Sequence, residues 1–144
     1  MQSTPFNENT DSAPIPFDKA VCQAAMKLKQ NGLEWTPHAG CFVWDPDEYI
    51  TVPSPFPGRI YFILNLNHFI RILGSREEIA QKLVWLPTWH QARRILKDYL
   101  SHELLFAEIM TQLKTDDSLN ELTVLYQLIM QKIISGDISV KKNH

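Results

Sequence analysis

Apolar residues along this chain change period twice, from helical to extended near Gly40 and back to helical after Gly74. Phe17, Val21, Ala24 and Leu28 recur on one helical face, and Asn31-Gly32 supplies a C-terminal stop. Asp18 in the first turn and Lys27 and Lys29 in the last suit the helix dipole. After Gly40, Cys41-Phe42-Val43-Trp44 predicts a strand, residues 45–48 a turn, and residues 49–52 a returning strand. Pro53, Pro55 and Pro57 exclude helix and central-strand pairing and leave a stiff loop to Gly58. Residues 59–73 are densest in β-forming side chains and predict a second hairpin. Its strands are 59–64 and 69–73, with Asn65-Leu66-Asn67-His68 as the turn; one long bent strand is the alternative.

Beyond Gly74 three pairs match the capping-box spacing: Ser75 with Glu78, Thr88 with Gln91, and Ser118 with Glu121. They predict a short helix to about Leu83, a second from Trp89, and a third from Leu119 to Ser135, closed by Gly136. Ala92, Leu96, Tyr99, Phe106, Met110 and Leu113 keep one stripe, which favours a single helix to Lys114 over a fresh start at Ser101. In the last helix Leu119, Leu122, Leu125, Tyr126, Ile129 and Ile133 make a broad apolar face, which either completes the core or meets a second copy of the chain.

Strands gathered early and helices gathered late predict an α+β fold. An N-terminal helix precedes a small antiparallel sheet of about four strands in two hairpins, and three or four helices pack on one face. One domain spans 17–136. Residues 1–16, rich in Ser, Thr, Asn and Pro, read as a mobile arm, and 137–144 as a polar tail. At 144 residues such a domain buries a core without disulfides or metal.

Charge and cysteine narrow the setting. A formal charge of -2 provides no global field for nucleic acid or an anionic membrane. Residues 33–58 carry only acids (Glu34, Asp45, Asp47, Glu48), whereas 59–114 carry a basic excess, so the two regions are suited to pair. Cys22 and Cys41 form no CxxC and read as thiols of a reducing cytosol. The N-terminus has no secretory pattern, and Asn65, Asn67, His68 and Arg71 interrupt the most apolar run. A cytoplasmic protein with no membrane partner is the expectation.

Candidate chemistry centres on residues 33–58. Trp35-Thr36-Pro37, Trp44-Asp45-Pro46 and Trp85-Leu86-Pro87 repeat Trp-x-Pro, in which proline stiffens the backbone beside an indole. Anchored aromatics of this kind suit an interface. The predicted binding surface is Trp35, Pro37, Trp44, Asp45, Asp47 and Phe56, extended by Trp85 and Trp89. A hydrolase centred on His38, Cys41 and Asp45 is the first alternative, as a metal site or a thiol nucleophile. One close His/Cys pair is too few ligands for zinc, and the acidic surroundings oppose a thiolate. Neither the acidic turn nor the 5 glycines build a calcium loop or a phosphate-binding loop. The second alternative is nucleic-acid contact through His90, Arg93, Arg94 and Lys97, a basic stripe opposite the apolar one. The favoured reading is a small binding protein without a cofactor, its partner another protein or a second copy of itself.

Overall fold

A computed structural model describes residues 15–115 and 120–139. Among these, six helices and a three-stranded antiparallel sheet form an α+β arrangement. Asp18 accepts the Val21 N–H at 2.9 Å and starts α1 (Lys19–Gln30). The Asn31 N–H closes its far end on the Lys27 carbonyl, and Gly32 takes the left-handed conformation there, φ +93°. Val21, Cys22, Ala25 and Leu28 are buried, a face turned slightly from the predicted one through Ala24.

The sheet contains β1 (Phe42–Trp44), β2 (Ile60–Phe62) and β3 (Val84–Leu86), with β1 central. Val43 lies opposite Tyr61 and Trp85, while Trp44 lies opposite Ile60 and Val84. Alternation therefore sends Val43, Tyr61 and Trp85 to one face and Phe42, Trp44, Ile60, Val84 and Leu86 to the other.

Two parts of the predicted four-strand sheet are corrected. Residues 49–52 form no strand, because the Asp45 carboxylate takes the N–H groups of Tyr49 and Ile50 that a ladder would use. Residues 69–73 belong to a helix, α2 (Leu66–Leu73), where Asn65 is the N-cap and accepts from the Asn67 N–H rather than turning a hairpin. Phe69 and Leu73, four apart, bury its apolar side. Gly74, at φ +113°, reverses the chain into α3 (Arg76–Lys82), which opens with Ser75 accepting from the Glu78 N–H. The third strand is β3, which the sequence pattern did not predict.

Thr88 and Gln91 complete the capping box that starts α4 (Trp89–Leu96). The single helix predicted to Lys114 is instead two, since α5 (His102–Thr115) begins afresh with Ser101 Oγ accepting from the Leu104 N–H. Its buried residues are Leu105 and Ile109, while Tyr99, Phe106 and Met110 of the predicted stripe are exposed. Asn120 caps α6 (Glu121–Ile134). The predicted cap Ser118 and start Leu119 lie outside the described residues, and the helix begins later than expected.

Helices cover both faces of the sheet, not one. Phe17 and the apolar sides of α1, α4, α5 and α6 pack with Ile60, Val84 and Leu86. Ile50, α2 and α3 pack with Val43, Tyr61 and Ile63 on the opposite face. Fully enclosed Leu125, Tyr126 and Ile129 make α6 part of the core. Of the expected arm, Ile15 packs on that core and Pro16 accepts a hydrogen bond from Asn120; residues 1–14 lie outside the described residues. Of the expected tail, Ile138 packs on the core and 140–144 lie outside. Among the described residues no helix is long and apolar enough to cross a membrane.

Candidate functional site

The acidic turn after β1 is an anchored structure. Asp45 is 0% exposed, and its carboxylate accepts from the Tyr49 and Ile50 N–H groups at 3.0 and 2.8 Å. Arg59 Nη2 donates to Asp45 Oδ2 at 2.8 Å and to the Ile50 carbonyl at 2.7 Å, while its Nε reaches the Asp45 carbonyl at 2.9 Å. The hydrogen bond to Asp45 raises the Arg59 pKa above its ordinary value. Glu48 and Arg59 both take φ +61°, a conformation side chains rarely adopt, which these bonds hold in place. The predicted pairing of acidic and basic regions thus has a concrete instance in Asp45 and Arg59. Asp45 itself is corrected from a surface residue to a buried one whose carboxylate accepts three hydrogen bonds.

The sheet divides the predicted aromatic surface. Trp44, Phe56 and Trp89 pack against the larger core, whereas Trp35 and Trp85 pack against the smaller one. Trp35 and Trp85 stack with ring centroids 5.8 Å apart and planes 9° from parallel. Pro37 is buried, each indole is half-buried, and only Asp47 of the predicted set is exposed. These eight residues therefore do not form one continuous platform.

His38 and Cys41 also part company. The His38 ring is exposed with Nδ1 2.8 Å from the Ala39 carbonyl, while Cys41 is buried and burial raises its thiol pKa. A raised pKa keeps sulfur protonated and opposes nucleophilic use. Among the described residues no group of three His, Cys, Asp or Glu side chains is placed to hold a metal.

In the basic stripe, His90, Arg94 and Lys97 are exposed and follow one another along α4 and its C-cap. Arg93 is half-buried and bonds through Nη2 to the His102 ring at the start of α5. The stripe is therefore narrower than its spacing implied.

A different surface emerges at β2, which among the described residues has β1 on one side and no strand on the other. The bonds from Asp45 N–H to the Arg59 carbonyl and from Ile63 N–H to the Cys41 carbonyl bracket the β1–β2 ladder. By antiparallel alternation, Tyr61 directs its backbone groups at β1, and Ile60 and Phe62 turn theirs outward. Ser54 Oγ occupies the Ile60 carbonyl. Beside this edge runs a cavity of about 360 Å³ lined by apolar Val52, Pro53, Phe62, Leu64, Phe69 and Ile72. His68 and Arg71 stand on the same groove. Val52 is 52% exposed and Leu64 80% exposed, unusual for side chains grouped together. The Tyr61 hydroxyl donates to the Val52 carbonyl at 2.6 Å and fixes the loop wall. The signal lay in Leu64 and Phe62 beside the proline run, but the reading of 69–73 as a strand concealed the helix that forms the second wall. No protein-family model matches the chain, and neither a curated protein nor a solved structure matches it.

Proposed function

We propose that this protein works by binding a partner protein, and that the partner contributes an extended segment along the outer edge of β2. The observation that carries this reading is the grouping of exposed Val52, Phe62, Leu64 and Ile72 around a groove beside a strand with one neighbour. An added strand would satisfy the outward N–H and C=O of Phe62 and place alternate side chains in the groove. The Asp45–Arg59 clamp and the Tyr61–Val52 bond support the reading, because a wall already held in shape loses little freedom on contact. With three residues in β2, side-chain burial rather than backbone pairing supplies most of the affinity. Arg71 and His68 favour a segment with an acidic residue beside its apolar ones. The surface thus moves from the tryptophans toward the start of the proline-rich loop and α2.

Selection of displayed peptides on the native protein, followed by titration of the chosen peptides, tests this. Alternating apolar segments with an acidic flank are expected, with binding weakened at least about tenfold by Leu64→Asp. Leu64 is so exposed that this change leaves the circular dichroism spectrum intact. Peptides that bind Leu64→Asp as well as the native chain would place the partner surface elsewhere.

A further inference from the structure

Where α4 meets α5, Trp89, Arg93, His102, Leu105, Phe106 and Ile109 line a second cavity of about 240 Å³, separate from the β2 groove. Its walls divide by chemistry: Arg93 and His102 form a polar end, and Leu105, Phe106 and Ile109 an apolar one. Arg93 Nη2 bonds His102 Nδ1 and lies 3.3 Å from Nε2. An imidazole brings no negative charge, so this contact supplies Arg93 with no counter-charge. Arg93 therefore keeps its whole positive charge in this contact. Among the described residues it forms no ion pair with any carboxylate. Half-buried Arg93, at the mouth of an apolar cavity and answered there by an imidazole, has no carboxylate opposite it on the cavity wall.

We infer that this cavity is a binding site for a small amphipathic carboxylate. The carboxylate lies against the Arg93 guanidinium, whose fork matches two carboxylate oxygens, and the hydrocarbon tail lies over Leu105, Phe106 and Ile109. Three features choose this class. The volume falls below the usual range for drug-sized ligands, which sets a short tail. The apolar wall disfavours a doubly charged phosphate ester, which would lose hydration there without a second cation. Arg93 is, among the described residues, the one Lys or Arg lining the cavity, which matches a single negative charge. Phe106, 66% exposed, stands at the rim, where a tail would cover it.

The test titrates octanoate, octanol and butyl phosphate into the full chain, followed by heteronuclear NMR shifts and calorimetry. Octanoate is expected to shift resonances of Arg93, His102 and Phe106 together and to bind more tightly than either of the others. Arg93→Gln is expected to weaken octanoate at least about tenfold, as loss of one charge-assisted contact does, while leaving octanol unchanged. Phe106→Ala, at an exposed position, is expected to weaken both octanoate and octanol. Equal binding of octanol and octanoate would reduce the site to an apolar cavity. Tighter binding of butyl phosphate would assign it to another anion class. Unchanged affinity in Arg93→Gln, with the urea midpoint preserved, or the absence of octanoate shifts at millimolar concentration, would overturn the inference.

Discussion

The Arg59 guanidinium grips the Asp45 carboxylate at 2.8 Å across a separation of 14 residues, and the loop between them is shaped around that contact. Asp45 is wholly buried and also receives two backbone N–H groups. Asp45→Ala leaves these donors and a cation without their acceptor, and is expected to cost about 3 kcal/mol. Arg59→Met is milder, because part of the guanidinium already faces water. Urea unfolding measures both losses. Hydrogen exchange at Tyr49 and Ile50 should accelerate in Asp45→Ala more than exchange within α6. Equal protection of the loop in mutant and native chains would show that the proline run alone holds it.

Tyr126 is fully enclosed in α6, and its hydroxyl donates to the Pro87 carbonyl at 2.5 Å. This bond ties α6 to Pro87, the residue that follows β3. Tyr126→Phe keeps the ring and its packing but strands a buried carbonyl. The expected cost is about 1–2 kcal/mol by urea titration, with the slope unchanged. A neutral substitution would mean that water or another donor replaces the hydroxyl.

The parts of the fold legible in the sequence are those written in local chemistry. Ser75 and Thr88 cap helices because the hydroxyl and its target N–H lie within one turn. Asn65 misled because the same side chain suits a hairpin turn and an N-cap. The choice between them rests on Phe69 and Leu73 finding a core formed by distant residues. Val84-Trp85-Leu86 became a strand by pairing with β1, a contact that no local pattern announces. The candidate sites follow the same rule. Arg93 and His102 are separated by nine positions, which on one continuous helix turns them to opposite sides, about 180° apart. The break after α4 brings them together. Reading one long helix therefore hid the cavity as well as the break.

Trp35 and Trp85 stack with nearly parallel planes, and Trp85 Nε1 is buried without a hydrogen-bond partner among the described residues. Two terms oppose each other when Trp85 is replaced by Phe. Lost contact area destabilises, whereas removal of an unpaired N–H relieves a desolvation cost of about 1–3 kcal/mol. Trp85→Phe is therefore expected to lie within about 1 kcal/mol of the native chain. Trp35→Ala has no such offset and is expected to cost about 2–3 kcal/mol, since it uncovers the partner ring. Thermal and urea unfolding of the two variants decide it. A larger loss for Trp85→Phe than for Trp35→Ala would reverse the assignment of the orphaned N–H.

Alkaline pH separates Cys22, Tyr126 and Lys29 by sign. Burial, aided by Asp18, raises the Cys22 thiol from 9.0 to about 12, and burial raises Tyr126 well above its ordinary value. Both groups hold their protons more tightly in the folded chain than in the unfolded one. Their contribution is complete below about pH 9 and is lost as pH rises toward the folded values. Lys29 works the other way, since burial lowers its pKa against the smaller, opposing influence of Asp47. Its half-buried charge disfavours folding at neutral pH, and that cost begins to fall as the folded form loses its proton and is gone above the ordinary value of 10.5. The Cys22 thiol gives a falling contribution: stability should drop above pH 9, by about 2 kcal/mol at pH 10.5 from this thiol alone. Cys22→Ala removes that share, so its stability should decline less between pH 9 and 10.5 than that of the native chain. Parallel curves for the two proteins would mean that Cys22 ionises without opening the core. Alkylation gives an independent check, because a protonated, enclosed thiol should react at pH 8 at least about tenfold slower than free cysteine and recover the ordinary rate in urea.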